Sequence, residues 1–274
     1  MTKLLKRQDR PKGVVNPAAA QNMFRLERYL PEPDLAPWVE HFWLVEWRLP
    51  DAVVHVQRTM PYPCVNLVFD LGCSALFGVM TGPFEYTLQE CGRVLGVRFR
   101  AGAFRGFLGQ PVWAITDQTA PMAPLFGCDE GEAERRVFAG VGDAGMVAAA
   151  SALLRAALPA PDPALERLAR IFELIESEQS VTQVRQLSDL VGLSVRRLQL
   201  LFRDYVGVGP KWVIRRKRLH DAADQLSNGQ SVDLASLAQA LGYFDQAHFT
   251  SDFEKLVGCP PAHYRRACST GAPA

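Results

Sequence analysis

The chain has 274 residues, with 30 Lys and Arg against 29 Asp and Glu and a net charge of +1. That length suits two domains, each large enough to bury a core without a metal or disulfide. Hydrophobic residues at 48% and charged residues at 22% describe a globular protein, and no stretch approaches the roughly 18–20 uncharged apolar residues of a membrane span; a membrane protein is excluded and a cytoplasmic one expected.

At the N-terminus Lys3, Lys6, Arg7, Arg10 and Lys12 are not followed by an apolar run. A secretory signal is therefore not expected, and residues 1–22 read as a disordered basic leader. Short apolar or alternating runs follow, separated by Gly and Pro: His41 to Trp47, Val53 to Gln57, Cys64 to Leu71, Leu76 to Met80 and Val94 to Arg100. In the last, Leu95, Val97 and Phe99 alternate with Gly96, Arg98 and Arg100, the period of a strand with one buried face. Residues 23–158 are thus expected to form an antiparallel barrel-like or sandwich-like domain, ending in one or two Ala-rich helices between Glu132 and Leu158. The Pro-rich segment 159–163 is a linker, and residues 164–267 are helical by period. The last seven residues are expected to fray. The fold class is α+β, with about seven helices in the C-terminal part.

In the sheet region His41, His55, Asp70, Arg98 and Arg100 are candidate ligand groups, but no two histidines have metal-ligand spacing, and structural roles are preferred. Phe42, Trp43, Trp47, Phe69, Phe99 and Trp113 could line a small-molecule pocket; core packing is the simpler reading for most of them. Cys64, Cys73, Cys91, Cys128, Cys259 and Cys268 are scattered singly, so no metal site or cofactor is expected, while an oxidant-sensing thiol stays an open alternative.

The C-terminal part contains a repeat. Leu187-Ser188-Asp189-Leu190-Val191-Gly192 recurs 50 residues later as Leu237-Ala238-Gln239-Ala240-Leu241-Gly242; beyond the glycine the shift becomes 51, pairing Leu198 with Phe249, Phe202 with Phe253, Gly207 with Gly258 and Pro210 with Pro261. Each copy has the parts of a helix-turn-helix: a small residue where two helices touch, a glycine for the tight turn, an N-cap (Ser194, Asp245) and an apolar stripe on the second helix. Residues 211–228 read as one long spacer helix between the copies. Residues 180–266 hold 12 Lys and Arg against 8 Asp and Glu, leaving 18 against 21 elsewhere, so the basic surplus sits on the repeat.

These residues carry a resemblance. The stretch from Gly242-Tyr243-Phe244-Asp245-Gln246-Ala247-His248-Phe249 through Phe253, Gly258, Pro260, Pro261 and Tyr264 is similar to the C-terminal signature of the AraC/XylS family of transcription regulators, and residues 181–266 resemble that family's DNA-binding domain. Cys64 to Phe69 and Gly96 to Gly102 more weakly resemble a poorly characterised domain that often precedes the tandem. The resemblance implies a double-stranded DNA operator and RNA polymerase as partners, activation or repression of transcription, and an N-terminal domain that binds a small-molecule effector or forms a homodimer. It places DNA contacts at Ser194, Val195, Arg196, Arg197, Gln199 and Arg203 of the first unit, and at Asp245, Gln246, His248, Thr250 and Ser251 of the second. Arg196 and Gln199 suit guanine and adenine edges, and Arg197 or Arg203 phosphate. Asp245 fits a cap better than a contact, and His248 could be wedged against helix packing. Arg215 to Arg218 read as a solvated helical face, with phosphate contact by Arg215 or salt bridges to Asp221 or Asp224 as alternatives. Two other function classes stay open: an interaction protein whose N-terminal domain only dimerises or binds a partner, and an enzyme fused to a DNA-targeting arm, for which no phosphate loop, nucleophile elbow or metal cluster is found.

Overall fold

The computed structural model describes residues 4–8, 23–227 and 233–270. Most of the expected leader therefore lies outside the described residues, but its stretch 4–8 runs beside the sheet, where Arg7 N–H donates to Arg28 O and Leu30 N–H to Leu5 O, both at 2.8 Å. Among the described residues eight strands form: β1 (Phe24–Tyr29), β2 (Val39–Arg48), β3 (Val54–Thr59), β4 (Asn66–Asp70), β5 (Ala75–Phe77), β6 (Phe84–Gln89), β7 (Cys91–Phe99) and β8 (Thr119–Ala120). They build an antiparallel six-stranded sheet in the order β1-β2-β7-β4-β5-β8 and a β3-β6 hairpin. β1, β6 and β8 were not expected from the sequence. β1 breaks its alternation at Arg28, β6 alternates Phe84, Tyr86 and Leu88 with Glu85, Thr87 and Gln89 but is weakly apolar, and β8 is two residues long.

Both faces of the large sheet carry apolar residues. On one, Phe42, Leu44, Leu67, Phe69, Leu95, Val97 and Phe99 are fully buried. Two helices cover this face, α3 (Glu130–Phe138) and α4 (Gly142–Ala156), preceded by the short turns α1 (Arg105–Leu108) and α2 (Ala123–Phe126) and a 3₁₀ turn at Val112–Ile115. The opposite face carries Trp43, Val45, Trp47, Val68, Val94 and Arg98, which line a cleft rather than bulk solvent. The alternation in β7 thus marks two different buried environments, where the sequence suggests one.

Seven helices follow among the described residues. They are α5 (Pro163–Ser177), α6 (Val184–Val191), α7 (Val195–Leu201), α8 (Pro210–Ser227), α9 (Leu234–Ala240), α10 (Gln246–Val257) and α11 (Pro261–Thr270), with one π turn at Phe202–Val206. Proline at the first position of α5 leaves no donor unsatisfied there, and Asp162 caps it by accepting from Ala164 N–H at 2.8 Å. The last helix runs on to Thr270, past the expected fraying point; 271–274 lie outside the described residues.

The first helix pair has no core of its own. Leu187, Leu198, Phe202, Val206, Val213 and Ile214 belong to the same hydrophobic cluster as Phe42 and Phe99 of the sheet. The joint is at the π turn: Thr116 Oγ1 donates to Gly207 O at 2.9 Å, and Arg105 pairs with Asp204 at 2.9 Å. The second pair has a separate core built from Leu219, Ala223, Leu237, Phe249, Phe253 and Tyr264, into which, among the described residues, the sheet region sends only Met60.

Candidate nucleic-acid interface

α6 and α7 meet at Gly192, whose φ of 65° is a left-handed conformation that glycine adopts without cost. Ser188 Oγ donates to Leu193 O at 2.6 Å, pinning the turn, and Ser194 Oγ accepts from Arg197 N–H at 3.3 Å to start α7. Leu198 and Phe202 take the buried stripe, so Ser194, Val195, Arg196, Arg197, Gln199, Leu200 and Arg203 are all exposed. Arg196 and Gln199 are three apart and share a helical face. Arg203 differs from its neighbours: its guanidinium lies 4.7 Å over the ring of Trp113, on the sheet side of the molecule.

In the second unit Gly242 takes φ of 71°, and Asp245 accepts from His248 N–H at 2.7 Å. Asp245 therefore caps α10. Gln246, Ala247, Ser251 and Glu254 are exposed and Thr250 is half-buried. The His248 side chain is 60% exposed, with its ring edge-on to Tyr243 and 3.7 Å from the carboxylate of the buried Asp252. Phe244, in the turn, is 96% exposed.

The expectation of a solvated basic face at 215–218 is overturned. Arg216 is 3% exposed; its Nε donates to Pro61 O at 3.1 Å, Nη1 meets Glu176 at 3.3 Å, and the guanidinium lies 3.8 Å from the Tyr62 ring centroid. Arg98 of β7 lies at the same 3.8 Å from that centroid. Two guanidinium groups cannot share one face at that distance, so the ring is held between them. Arg215 reaches Asp252 at 3.5 Å, Lys217 pairs with Asp221, and Arg218 lies 4.4 Å over Tyr243, where burial lowers its pKa. The run faces several neighbours at once because α8 is packed on most of its circumference; a count of charges along one helix does not register that.

Beneath α8 lies a cleft of about 1510 Å³ between the second sheet face and α5 and α8. At one end Glu40 bridges Arg98 at 3.1 Å and Arg7 at 2.7 Å. Burial opposes the charged form of Glu40, but Arg98, His41 and Arg7 outweigh it and hold its carboxyl well below the usual range. Burial pushes the neighbouring His41 ring down and the Cys64 thiol up. At the other end the walls are aromatic: Phe24, Trp43, Trp47, Phe77, Phe84 and Tyr86. The six aromatics singled out in the sequence thus divide. Phe42, Phe69 and Phe99 are core, Trp43 and Trp47 line the cleft, and Trp113 sits exposed under Arg203. A signal for the cleft was present, since Trp43 and Trp47 each stand directly opposite a glycine of β7, Gly96 and Gly92. Among the described residues no group of three or more His, Cys, Asp or Glu is arranged to hold a metal, and no helix is long and apolar enough to cross a membrane.

Residues 187–267 match the family described as a helix-turn-helix domain, and residues 27–121 match a domain of unknown function. An AraC-like transcription regulator of Streptomyces lividans is 35% identical over 83 residues, 30% of this chain and 27% of that protein. Residues 187–267 form a helix-turn-helix domain. An HTH-type transcriptional regulator of Haemophilus influenzae is 27% identical over 99 residues, 36% of this chain and 33% of that one. The chain thus spans about a third of the length of these curated relatives. A transcriptional regulator of Chromobacterium violaceum, described as AraC-type, is 24% identical, with 38% of this chain and 94% of that chain covered and a TM-score of 0.36. The helix-turn-helix domain has both left-handed glycine turns and both side-chain caps, and it meets the matched region of unknown function through the Tyr62 stack and the π turn.

Proposed function

We propose that this chain is a sequence-specific regulator of transcription that binds double-stranded DNA, presenting α7 and α10 to successive turns of the major groove, and that a small molecule in the cleft modulates it. The observation that carries the DNA reading is the exposed face of α7, where Arg196, Arg197 and Gln199 stand outward on a helix whose N-terminus is capped and whose opposite stripe is buried. An Arg or Gln on such a face can make bidentate contacts with base edges, each worth about 1–3 kcal/mol of discrimination. The second unit exposes Gln246, His248 and Ser251 but also Asp245 and Glu254, whose charges oppose phosphate. The first unit therefore carries most of the discrimination and the second mainly positions the protein. Recruitment or blocking of RNA polymerase and pairing into a homodimer complete the reading.

Selection of bound sites from random duplexes, followed by affinity measurement with Arg196→Ala and Gln246→Ala, tests this. The first substitution lowers affinity about tenfold or more, as loss of one base contact should. The second costs less. Absence of any preferred duplex refutes the regulator reading, and a larger loss from Gln246→Ala reverses the division of labour. The cleft supports an effector because its roof is formed by α5 and α8, the helices that flank the first unit, so a molecule filling it touches both halves of the chain.

A further inference from the structure

The aromatic end of the cleft is built on close backbone approach. A Cβ placed on Gly96 would lie 2.0 Å from Trp43 Cε2, and one on Gly92 would lie 2.1 Å from Trp47 Cζ2. Both indoles therefore lie directly against β7, which only glycine permits. Their N–H groups are already used, Trp43 Nε1 towards Asn66 Oδ1 at 3.4 Å and Trp47 Nε1 to Gln89 O at 2.9 Å. What these residues offer a ligand is π surface. Tyr86 stands edge-on to Trp47 at 5.9 Å, and Phe77 and Phe84 form a second edge pair at 5.7 Å.

Asp70 sits on the same floor, two pairing positions from Gly96 and on the same sheet face, because β4 sets Val68 opposite Gly96 and Asp70 opposite Val94. Its carboxylate accepts from Tyr86 Oη at 2.5 Å. Among the described residues it has no Lys, Arg or His ion-pair partner; its charged neighbour is Glu134, a second carboxylate, which accepts from Ser74 Oγ at 2.7 Å. The cations that line the cleft are engaged elsewhere. Arg98 and Arg7 hold Glu40, Arg216 holds Glu176 and Pro61 O, Lys217 holds Asp221, and Arg100 donates to Ala36 O. Arg28 belongs to β1, three strands from β4 and so about 14 Å away. The roof adds another acid, Glu173 of α5, which has no partner among the described residues.

These features select a chemical class. An anion would meet Asp70 unscreened, and a neutral hydrocarbon would strip water from that carboxylate without replacing its hydrogen bonds. A compact metal ion would lack a ligand set. A lipophilic cation with delocalised or shielded charge gains on both counts: the negative faces of indole and phenol rings attract it, and Asp70 neutralises it in a partly desolvated site. We infer that the aromatic end of this cleft binds an aromatic organic cation, held by Trp43, Trp47 and Tyr86 and charge-paired with Asp70. The cleft volume of about 1510 Å³ leaves room for a polycyclic or multi-ring molecule. This inference rests on the effector reading for its consequence, since the occupied cleft would press on α5 and α8, but not for the existence of the site.

Tetraphenylphosphonium and tetraphenylborate share shape and size and differ in charge sign, so titrating the full-length protein with each, by calorimetry and by quenching of tryptophan emission, isolates the electrostatic choice. The phosphonium is expected to bind at least tenfold more tightly than the borate. Asp70→Asn should lower phosphonium affinity about tenfold and leave the borate unchanged or stronger, and Trp43→Leu should weaken the phosphonium. The melting temperature of each variant, measured on the same samples, serves as the folding control. Equal or tighter binding of the borate, or an Asp70→Asn protein with undiminished phosphonium affinity, overturns the inference. Operator affinity measured on the same samples separates the two levels. Loss of phosphonium binding with intact DNA binding removes this inference and leaves the regulator standing. Phosphonium binding that responds to Asp70→Asn but does not move DNA affinity upholds the site and removes only the effector reading.

Discussion

Replacing Arg216 with methionine removes a guanidinium while keeping most of an apolar stem, and so tests the stack that joins α8 to the sheet region. Arg216 gives up a desolvated cation–π contact with Tyr62 at 3.8 Å, worth about 2 kcal/mol. It also gives up a charge-assisted hydrogen bond to Pro61 O at 3.1 Å, worth about 1.5–3 kcal/mol. Against this stands repulsion from Arg98 across the ring, about 8 Å away, which is about 2 kcal/mol at an effective dielectric of 20 and is relieved by the substitution. His220, whose Nε2 lies 3.2 Å from the same Pro61 oxygen, keeps that carbonyl from being stranded. The balance is a loss of about 2 kcal/mol, which for a chain this long lowers Tm by about 4–8 °C. Differential scanning calorimetry of Arg216→Met and Tyr62→Leu, singly and combined, measures it. The double variant should lose less than the sum of the two single ones, by about the worth of the Arg216–Tyr62 contact that both remove. A melting point at or above that of the unaltered protein would refute the reasoning, showing that burying the second cation costs more than the stack returns.

Gly96→Ala drives a methyl group into the Trp43 ring; overpacking of this kind costs about 1–3 kcal/mol, and the displaced indole should show a red-shifted emission maximum. Asp245→Ala removes the α10 cap at a cost of about 1 kcal/mol while also removing a charge that repels phosphate, so the melting point should fall and DNA affinity should not. Tenfold weaker DNA binding with unchanged melting would make Asp245 a contact instead. The Asp143 carboxyl is held below its ordinary range by its hydrogen bonds to Arg25, with Tyr29 and Arg93 adding to them against the effect of burial. Its contribution is therefore complete above about pH 4, the unperturbed range, and is lost as pH falls through the lower folded value. The gap in Tm between Asp143→Asn and the unaltered protein should be widest at neutral pH and close towards pH 2; a gap that does not vary with pH would exclude the assignment.

The helical half was the more legible. Its glycine turns, caps and stripes obey local rules, and Gly192, Ser194, Gly242 and Asp245 occupy the roles their spacing suggested, with the spacer running over Pro210–Ser227. The sheet was legible where the apolar content was high, as in the Phe42–Val45 run of β2 and the alternation of β7, and not where polar residues dilute it, as in Phe24–Tyr29 and Phe84–Gln89. What local pattern could not supply was partnership across the chain. Arg216 looks like a solvated residue until the loop of residues 60–62 is laid over it, and Trp43 looks like core until Gly96 is seen opposite it on a face roofed by α5. In the sequence Asp70 is only one of several polar residues, because the absence of a cationic partner among the described residues is a property of the assembled floor.

The sharing of one hydrophobic cluster between the sheet and the first helix pair bears on how the molecule comes apart. Cooperative units follow buried contacts, not chain punctuation, so the seam of lowest cohesion runs between the two helix pairs, through α8, and not at the prolines of 159–163. Cutting at those prolines would strip Leu187, Leu198, Phe202 and Ile214 of their apolar neighbours and leave a sticky remnant, whereas the second pair, with its own interior, can melt and re-form while the rest of the protein stays intact.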